Sequence, residues 1–396
     1  MSALVTALCF VGYFFGYVFY SRFLARRLFE LDPAAVTPSH ELRDDVDYVP
    51  TNRFVLFGHH WASITGLSPM LGPAVAVIWG WLPAMLWVLL GALFVGCVHD
   101  FSSLVVSMRA KGMSIGKVTE GIIGKRAKTL FHLIIFFGIA LAMGVFVYVI
   151  AVMFSISDAW DPQQPMADPS SFPTAVFPSA VLIGLAMIMG YLLSKRQFPL
   201  LPTTAVGFVL MLAAVWGGLR FPLLWMDRTT WPDLNVWIVI LLMYSFVASV
   251  LPVWSLLQAR DFLNSLLLYL GLALCYLGVF VWRPEFAAPA FRAHPEGAPS
   301  FYPFVFIIIA CGAASGFHSL VASGTTAKQI DKETDARFIG YGGMVGESLL
   351  GLLAVLACTA GILGAGGYQP SEVWANTYRD WDSCLLYTSD AADELT

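Results

Sequence analysis

The sequence predicts an all-α polytopic membrane protein with about ten transmembrane helices. Composition, the length of the apolar runs and the placement of basic residues between them carry that expectation. Hydrophobic residues fill 58% of the 396 positions and charged residues only 12%, whereas an ordinary soluble domain carries about 25% charge. Too little charge remains to cover a water-facing surface. Runs long enough for a bilayer, about 17–25 residues, fall near 2–20, 60–79, 84–107, 130–155, 174–193, 202–218, 235–256, 264–282, 302–323 and 340–364. With the N-terminus outside, segments 21–59, 108–129, 194–201, 257–263 and 324–339 face the cytoplasm and hold 17 of the 22 lysines and arginines. That asymmetry is the positive-inside rule.

The first run reads as a retained span rather than a cleaved leader. No basic residue precedes it, and Arg22, Arg26 and Arg27 follow it, the reverse of a secretory signal. Segment 156–173 has no basic residue, as an outside loop should. Trp79, Trp81, Trp160, Trp237, Trp254 and Trp282 recur at span ends, where amphipathic rings favour the membrane interface. The six cysteines show no CxxC spacing. They read as small packing residues, and neither a metal site nor a cofactor is expected. Basic residues confined to short loops argue against a nucleic-acid partner. After the last span the chain ends in SCLLYTSDAADELT, which reads as foreign from about Ser383 onward, the true protein continuing beyond.

A backbone interrupted at membrane depth implies a cavity or a binding site, because freed polar groups find no water in hydrocarbon. The second run, GHHWASITGLSPMLGPAVAVIW, places Gly58, Gly66, Pro69, Gly72 and Pro73 in one apolar stretch with Ser63, Thr65 and Ser68. Pro69 cannot donate to the carbonyl four residues earlier, that of Thr65. The freed carbonyls suit a cation and a restarted helix suits a carboxylate; a merely kinked packing helix is the structural alternative. His59 and His60 open this run at its cytoplasmic side, as polar edge or as proton shuttles.

Asp100, preceded by His99, lies seven residues inside the end of the third span, either as a proton or cation site or as a structural cap. The ninth span, FYPFVFIIIACGAASGFHSLVASG, combines a small-residue face at Gly312–Gly316 with His318, and Ser315 and Ser319 stand four residues apart. Close packing explains the glycines but not an intramembrane histidine. Glu347 is the remaining acid expected inside a span. The seventh span carries Ser245, Ser249 and Pro252, a second candidate interruption. HExxH, nucleophile-elbow and P-loop signatures are absent from the sequence, so an enzyme is not expected.

Four stretches, YVPTNRFVLFGHHWASITGLSPMLGP (48–73), LPVWSLLQARDFLNSLLLY (251–269), IACGAASGFHSLVASGTTAKQ (309–329) and ETDARFIGYGGMVGES (333–348), closely resemble the carbon starvation protein A family. The resemblance runs from about residue 15 to 365. It implies a bacterial inner-membrane transporter of peptides or pyruvate, proton-coupled, in the amino acid–polyamine–organocation superfamily. It further implies a leucine-transporter-like fold of two inverted five-helix repeats, each opening on a broken helix. The expected layout is then 1–57 as first helix and cytoplasmic linker, 58–218 as the first repeat, 219–364 as an incomplete second repeat, and 365–396 as outside loop and tail.

By analogy with sodium-coupled transporters of that fold, Ser315 and Ser319 would face the second span and hold a cation. The expected substrate site comprises Ser63, Thr65, Gly66, Ser68, Pro69 and Gly72 with Ser245 and Ser249 opposite. Coupling to a proton or sodium is expected among His59, His60, Asp100, Ser315, His318, Ser319 and Glu347. A channel, a membrane sensor and, least of all, a membrane hydrolase are the competing readings.

Overall fold

A computed structural model describes residues 1–158, 160–161, 171–223, 228–362 and 368–389. Seven helices among them are long and apolar enough to cross a bilayer, or eight if one sharply bent pair counts as a single span. They are α1 (Ser2–Leu28), the bent pair α2 (Arg53–Ile64) and α3 (Ser68–Trp79), α4 (Trp81–Arg109), α5 (Lys125–Phe154), α6 (Pro173–Ser194), α7 (Leu200–Arg220), α9 (Leu257–Trp282) and α12 (Arg337–Thr359). The chain is a multi-pass membrane protein.

Two of the ten expected spans take another form. The seventh is a 17-residue helix, α8 (Leu234–Val250), about 25 Å long at 1.5 Å per residue. Pro252 lies beyond its end and interrupts nothing, because the next helix starts only at Leu257. The ninth, expected as one run, is two short helices, α10 (Phe301–Ile308) and α11 (His318–Gly324), separated by nine non-helical residues. Part of the outside loop 156–173, the end of the tenth run at 363–364 and the tail residues 390–396 lie outside the described residues. Residues 383–389 continue a helix, Trp381–Ser389, in which Cys384 is buried.

The chain divides into two compact units, one formed by Met1–Ile115 with Leu267–Thr388, the other by Gly116–Leu266. In the second, α6 and α7 pair closely, and Ala151, Trp231 and Trp237 form a small core. The Trp231 indole donates to the Phe154 carbonyl at 2.8 Å. Arg260 pairs with the buried Asp261 at 2.6 Å and with the Tyr244 hydroxyl at 2.8 Å.

The first unit is built around α12. The Asn52 side chain caps α2 by accepting from the Phe54 amide at 2.9 Å. At Thr65–Leu67 the helix stops, and α3 restarts at 49° to it with Pro69 in its first turn, where a missing amide costs nothing. Both halves sit on a glycine face of α12. A Cβ at Gly343 would stand 2.9 Å from the His60 ring, and one at Gly346 2.6 Å from the Trp61 indole nitrogen, both well inside van der Waals contact. On the polar side, segment 29–52 straps across the chain that follows α11. Thr37 and Ser39 donate to the carbonyls of Asp331 and Ile330, and Arg109 joins Glu333 at 2.7 Å and the Phe29 carbonyl at 2.5 Å.

Candidate functional site

The two interruptions, 65–67 after α2 and 309–317 between α10 and α11, are neighbours within the first unit. A Cβ on Gly72 of α3 would collide with the Ile308 carbonyl, and one on Gly312 would touch Pro69 at 3.6 Å. On the other side α4 comes equally close: a Cβ on Gly96 would lie 2.5 Å from the Ala313 carbonyl oxygen. Gly96 ends a wide π-helical turn, Ala92–Gly96, one helical turn before Asp100. The unwound segment 309–317 is thus clasped between α3, α4 and α12.

His318, the first residue of α11, joins the acids of α4 and α12. Its Nδ1 donates to Asp100 Oδ2 at 2.8 Å, and its Nε2 stands 3.0 Å from Glu347 Oε2. All three side chains are fully buried. The two contacts are not equivalent. The Nδ1 contact is a well-formed hydrogen bond, but Nε2 and Oε2, though close, are not aligned as one, and neither of these two atoms makes a hydrogen bond. Glu347 Oε1, by contrast, accepts from the Gly312 amide at 3.1 Å and the Cys311 thiol at 3.2 Å. His99 supports Asp100 from the same helix at 3.3 Å.

Most of the expected residues assemble here, with corrections. His59 and His60 are not a polar edge turned to solvent: they lie in the second turn of α2 and are buried at 3% and 0% exposure. His60 Nδ1 is 2.9 Å from the Thr326 hydroxyl, and its Nε2 has no partner. Ser315 and Ser319 are not one helical face, because Ser315 belongs to the non-helical segment and Ser319 to α11, where it donates to the Gly316 carbonyl. Glu347 is not the sole further buried acid, since Asp261 and Glu333 are 4% exposed. Thr65 adjoins the first interruption with a buried hydroxyl that has no partner. Ser63, Gly66, Ser68, Pro69 and Gly72 line the same stretch. Ser245 and Ser249 belong to the second unit, where Ser249 is exposed and bonds the Phe246 carbonyl of its own helix. Cys311, Gly312 and Thr326 contact this cluster without having been expected there. The seven-residue step from Cys311 to His318 was the available sign, obscured by the expectation of a continuous helix.

Comparison with known proteins gives this region its family. The model of the family described as carbon starvation protein CstA matches residues 1–379. The chain belongs to the carbon starvation protein CstA family. It is 37% identical over 367 residues to the pyruvate/proton symporter BtsT of Escherichia coli K12, covering 90% of this chain and 48% of that protein. It is also 37% identical over 375 residues to the peptide transporter CstA of Helicobacter pylori J99, covering 90% and 50%. With the peptide transporter CstA of Bacillus subtilis 168 the identity is 33% over 386 residues, 95% and 59%. The chain spans about half the length of the curated relatives it matches. No solved structure matches it. Both interruptions and the Asp100–His318–Glu347 cluster lie within the residues that the CstA family model matches.

Proposed function

We propose that the full-length protein is a secondary active transporter of the bacterial inner membrane, importing a small carboxylate such as pyruvate or short peptides with protons. It is not an enzyme in this reading. The observation that carries it is the adjacency of two interrupted helices at a buried, polar centre, the arrangement by which transporters expose backbone groups at membrane depth. Relatives that are named a pyruvate/proton symporter and peptide transporters support the substrate class.

The substrate carboxylate is received at residues 63–72. There the Thr65 hydroxyl lacks a partner, and the start of α3 offers the positive end of a helix dipole. His60 carries the coupling proton: it is buried, tied by one nitrogen to Thr326 and unpartnered at the other. Asp100, His318 and His59 are the charged or titratable groups around it. Asp100 is engaged by His318 Nδ1, and Glu347 Oε1 by the Gly312 amide and the Cys311 thiol, which leaves these two carboxylates less free than His60 to exchange a proton with substrate.

Ten spans with an outside N-terminus follow if α2–α3 and α10–α11 each cross once and α8 crosses too. A leucine-transporter-like inverted repeat beginning at α2 is the fold we assign to them, and cysteine accessibility from either side of the membrane tests the topology. Function is tested by uptake into proteoliposomes of the full-length protein, with pyruvate, amino acids and dipeptides and an imposed pH gradient. We expect uphill accumulation of one class, lost in His60→Gln while substrate exchange persists. Flux without accumulation would make the protein a channel. Unaltered proton-driven accumulation in His60→Gln would remove that residue from coupling.

A further inference from the structure

We propose that Cys311, His318 and Glu347 bind one divalent transition-metal ion, of which Zn2+ is the first candidate, pinning the interruption between α10 and α11 to α12. Cys311 Sγ, the His318 ring nitrogen and a Glu347 carboxylate oxygen all lie within 4.8 Å of one another. Around a four-coordinate zinc ion, with bonds of about 2.0–2.3 Å, such atoms stand roughly 3–4 Å apart. His318 Nε2 stands 3.0 Å from one Glu347 oxygen, Oε2, and Cys311 Sγ 3.2 Å from the other, Oε1, so the carboxylate reaches both other donors.

Three further observations point to an ion rather than to a packed ion pair. First, His318 Nε2 and Glu347 Oε2 are fully buried and unbonded although 3.0 Å apart. Buried polar atoms left without partners are costly and uncommon. Second, His318 Nδ1 is held by Asp100 Oδ2 at 2.8 Å. A carboxylate only accepts, so Nδ1 carries a proton, and Nε2, directed away from Asp100, is the nitrogen whose lone pair a metal would take on displacing any proton there. This is the outer-shell arrangement that orients metal-binding imidazoles. Third, two carboxylates face a single imidazole in a dry interior, so negative charge is in excess and a divalent cation would reduce it.

The donor set selects the ion. Thiolate, imidazole and carboxylate together suit zinc or a neighbouring late first-row metal, whereas magnesium, calcium and sodium take oxygen ligands. On binding, a metal–sulfur bond forms as the Cys311 thiol proton leaves to solvent, and Nε2 and a Glu347 oxygen donate lone pairs. The proton on Nδ1 stays with Asp100. Three protein donors leave a fourth position for water. The seven residues from Cys311 to Phe317 form a loop that makes few helical bonds, and the ion would fix that loop to α12.

The site does not depend on the transport reading, and its test needs no uptake. The full-length protein, purified in detergent and stripped with a chelator, is titrated with Co2+ and followed by absorption, with as-purified zinc content measured in parallel. We expect one equivalent per chain with a thiolate-to-cobalt charge-transfer band. Cys311→Ser should lose the band, while Cys358→Ser, a half-buried cysteine elsewhere on α12, keeps it. Asp100→Asn should weaken binding about 10–100-fold, the usual loss for an outer-shell partner. Wild-type protein that takes up no Co2+, or binds it without the charge-transfer band, overturns the proposal whatever the folding of the variants.

Discussion

Gly96→Ala tests how tightly the unwound segment is clasped. The added methyl would stand 2.5 Å from the Ala313 carbonyl oxygen, 2.7 Å from the Met344 methyl and 3.2 Å from the Ala313 carbonyl carbon. Ordinary contact begins near 3.4 Å, so α4 and the segment must part by about 1 Å, and overpacking of this kind costs about 1–3 kcal/mol. Alanine would otherwise favour the helix by up to about 1 kcal/mol over glycine. The net expectation is a loss of roughly 1–2 kcal/mol, a change of about 5–30-fold in the folded-to-unfolded ratio. Gly144→Ala on α5 is the control, because a Cβ there meets nothing within 4 Å. Only the propensity gain should remain. Reversible unfolding of both variants in mixed micelles, against a titration of denaturing detergent, reads the two effects directly. Equal stabilities for Gly96→Ala and Gly144→Ala would refute the close approach of α4 to Ala313.

Two further outcomes are expected. Ser348→Ala removes a buried hydroxyl that bonds Tyr13 at 2.6 Å and the Val88 carbonyl at 2.9 Å; orphaning the Tyr13 hydroxyl should cost about 1–3 kcal/mol in the same assay, and Tyr13→Phe in that background should recover part of it. Glu120 receives Lys117 at 2.7 Å and Lys128 at 2.9 Å, and these two hydrogen bonds hold its carboxyl down at about 2 against an ordinary 4.5. A lowered carboxyl stabilises the fold in full above 4.5 and loses that contribution as pH falls toward 2. Amide exchange across 116–124, corrected for its intrinsic rate, should show protection falling within that window and less so in Lys128→Met; a flat profile would dismiss the pairing.

The membrane class and most of the site were legible because they rest on local chemistry. Long apolar runs announce spans directly. The interruption at Thr65–Leu67 was visible because Pro69 lacks an amide, a property of one residue that no tertiary context alters. Asp100, His318 and Glu347 stood out for the same kind of reason, since an ionisable group inside an apolar run is costly unless it is matched. Hidden from the sequence was the matching itself. Three residues separated by 218 and 29 positions meet at one imidazole, and helical spacing carries no information about partners on other helices. Pro252 misled in the opposite direction: a proline marks an interruption only where helix continues on both sides, and α8 ends at Val250.

The interruption of the ninth span shows why the most informative feature was the least legible. No proline falls between residues 309 and 317, and the three alanines and two glycines there pull helix propensity in opposite directions. In a continuous helix the Gly312 amide would donate to the Ile308 carbonyl. Here it donates to Glu347 Oε1 at 3.1 Å, and Gly312 takes φ +88, open to glycine alone at little cost. The Ile308 carbonyl lies against Gly72, where only a missing side chain allows so close an approach. The segment is therefore unwound by partners supplied from α3 and α12 acting on a glycine that can take the required backbone. Helix α12 supplies the most: it seats His60 and Trp61 against Gly343 and Gly346, and it offers Glu347 to Gly312, Cys311 and His318. Because Glu347 replaces a helical acceptor, Glu347→Ala should do more than remove a charge. It should return Gly312 to its helical bond, straighten α10 into α11, and separate His318 from Asp100.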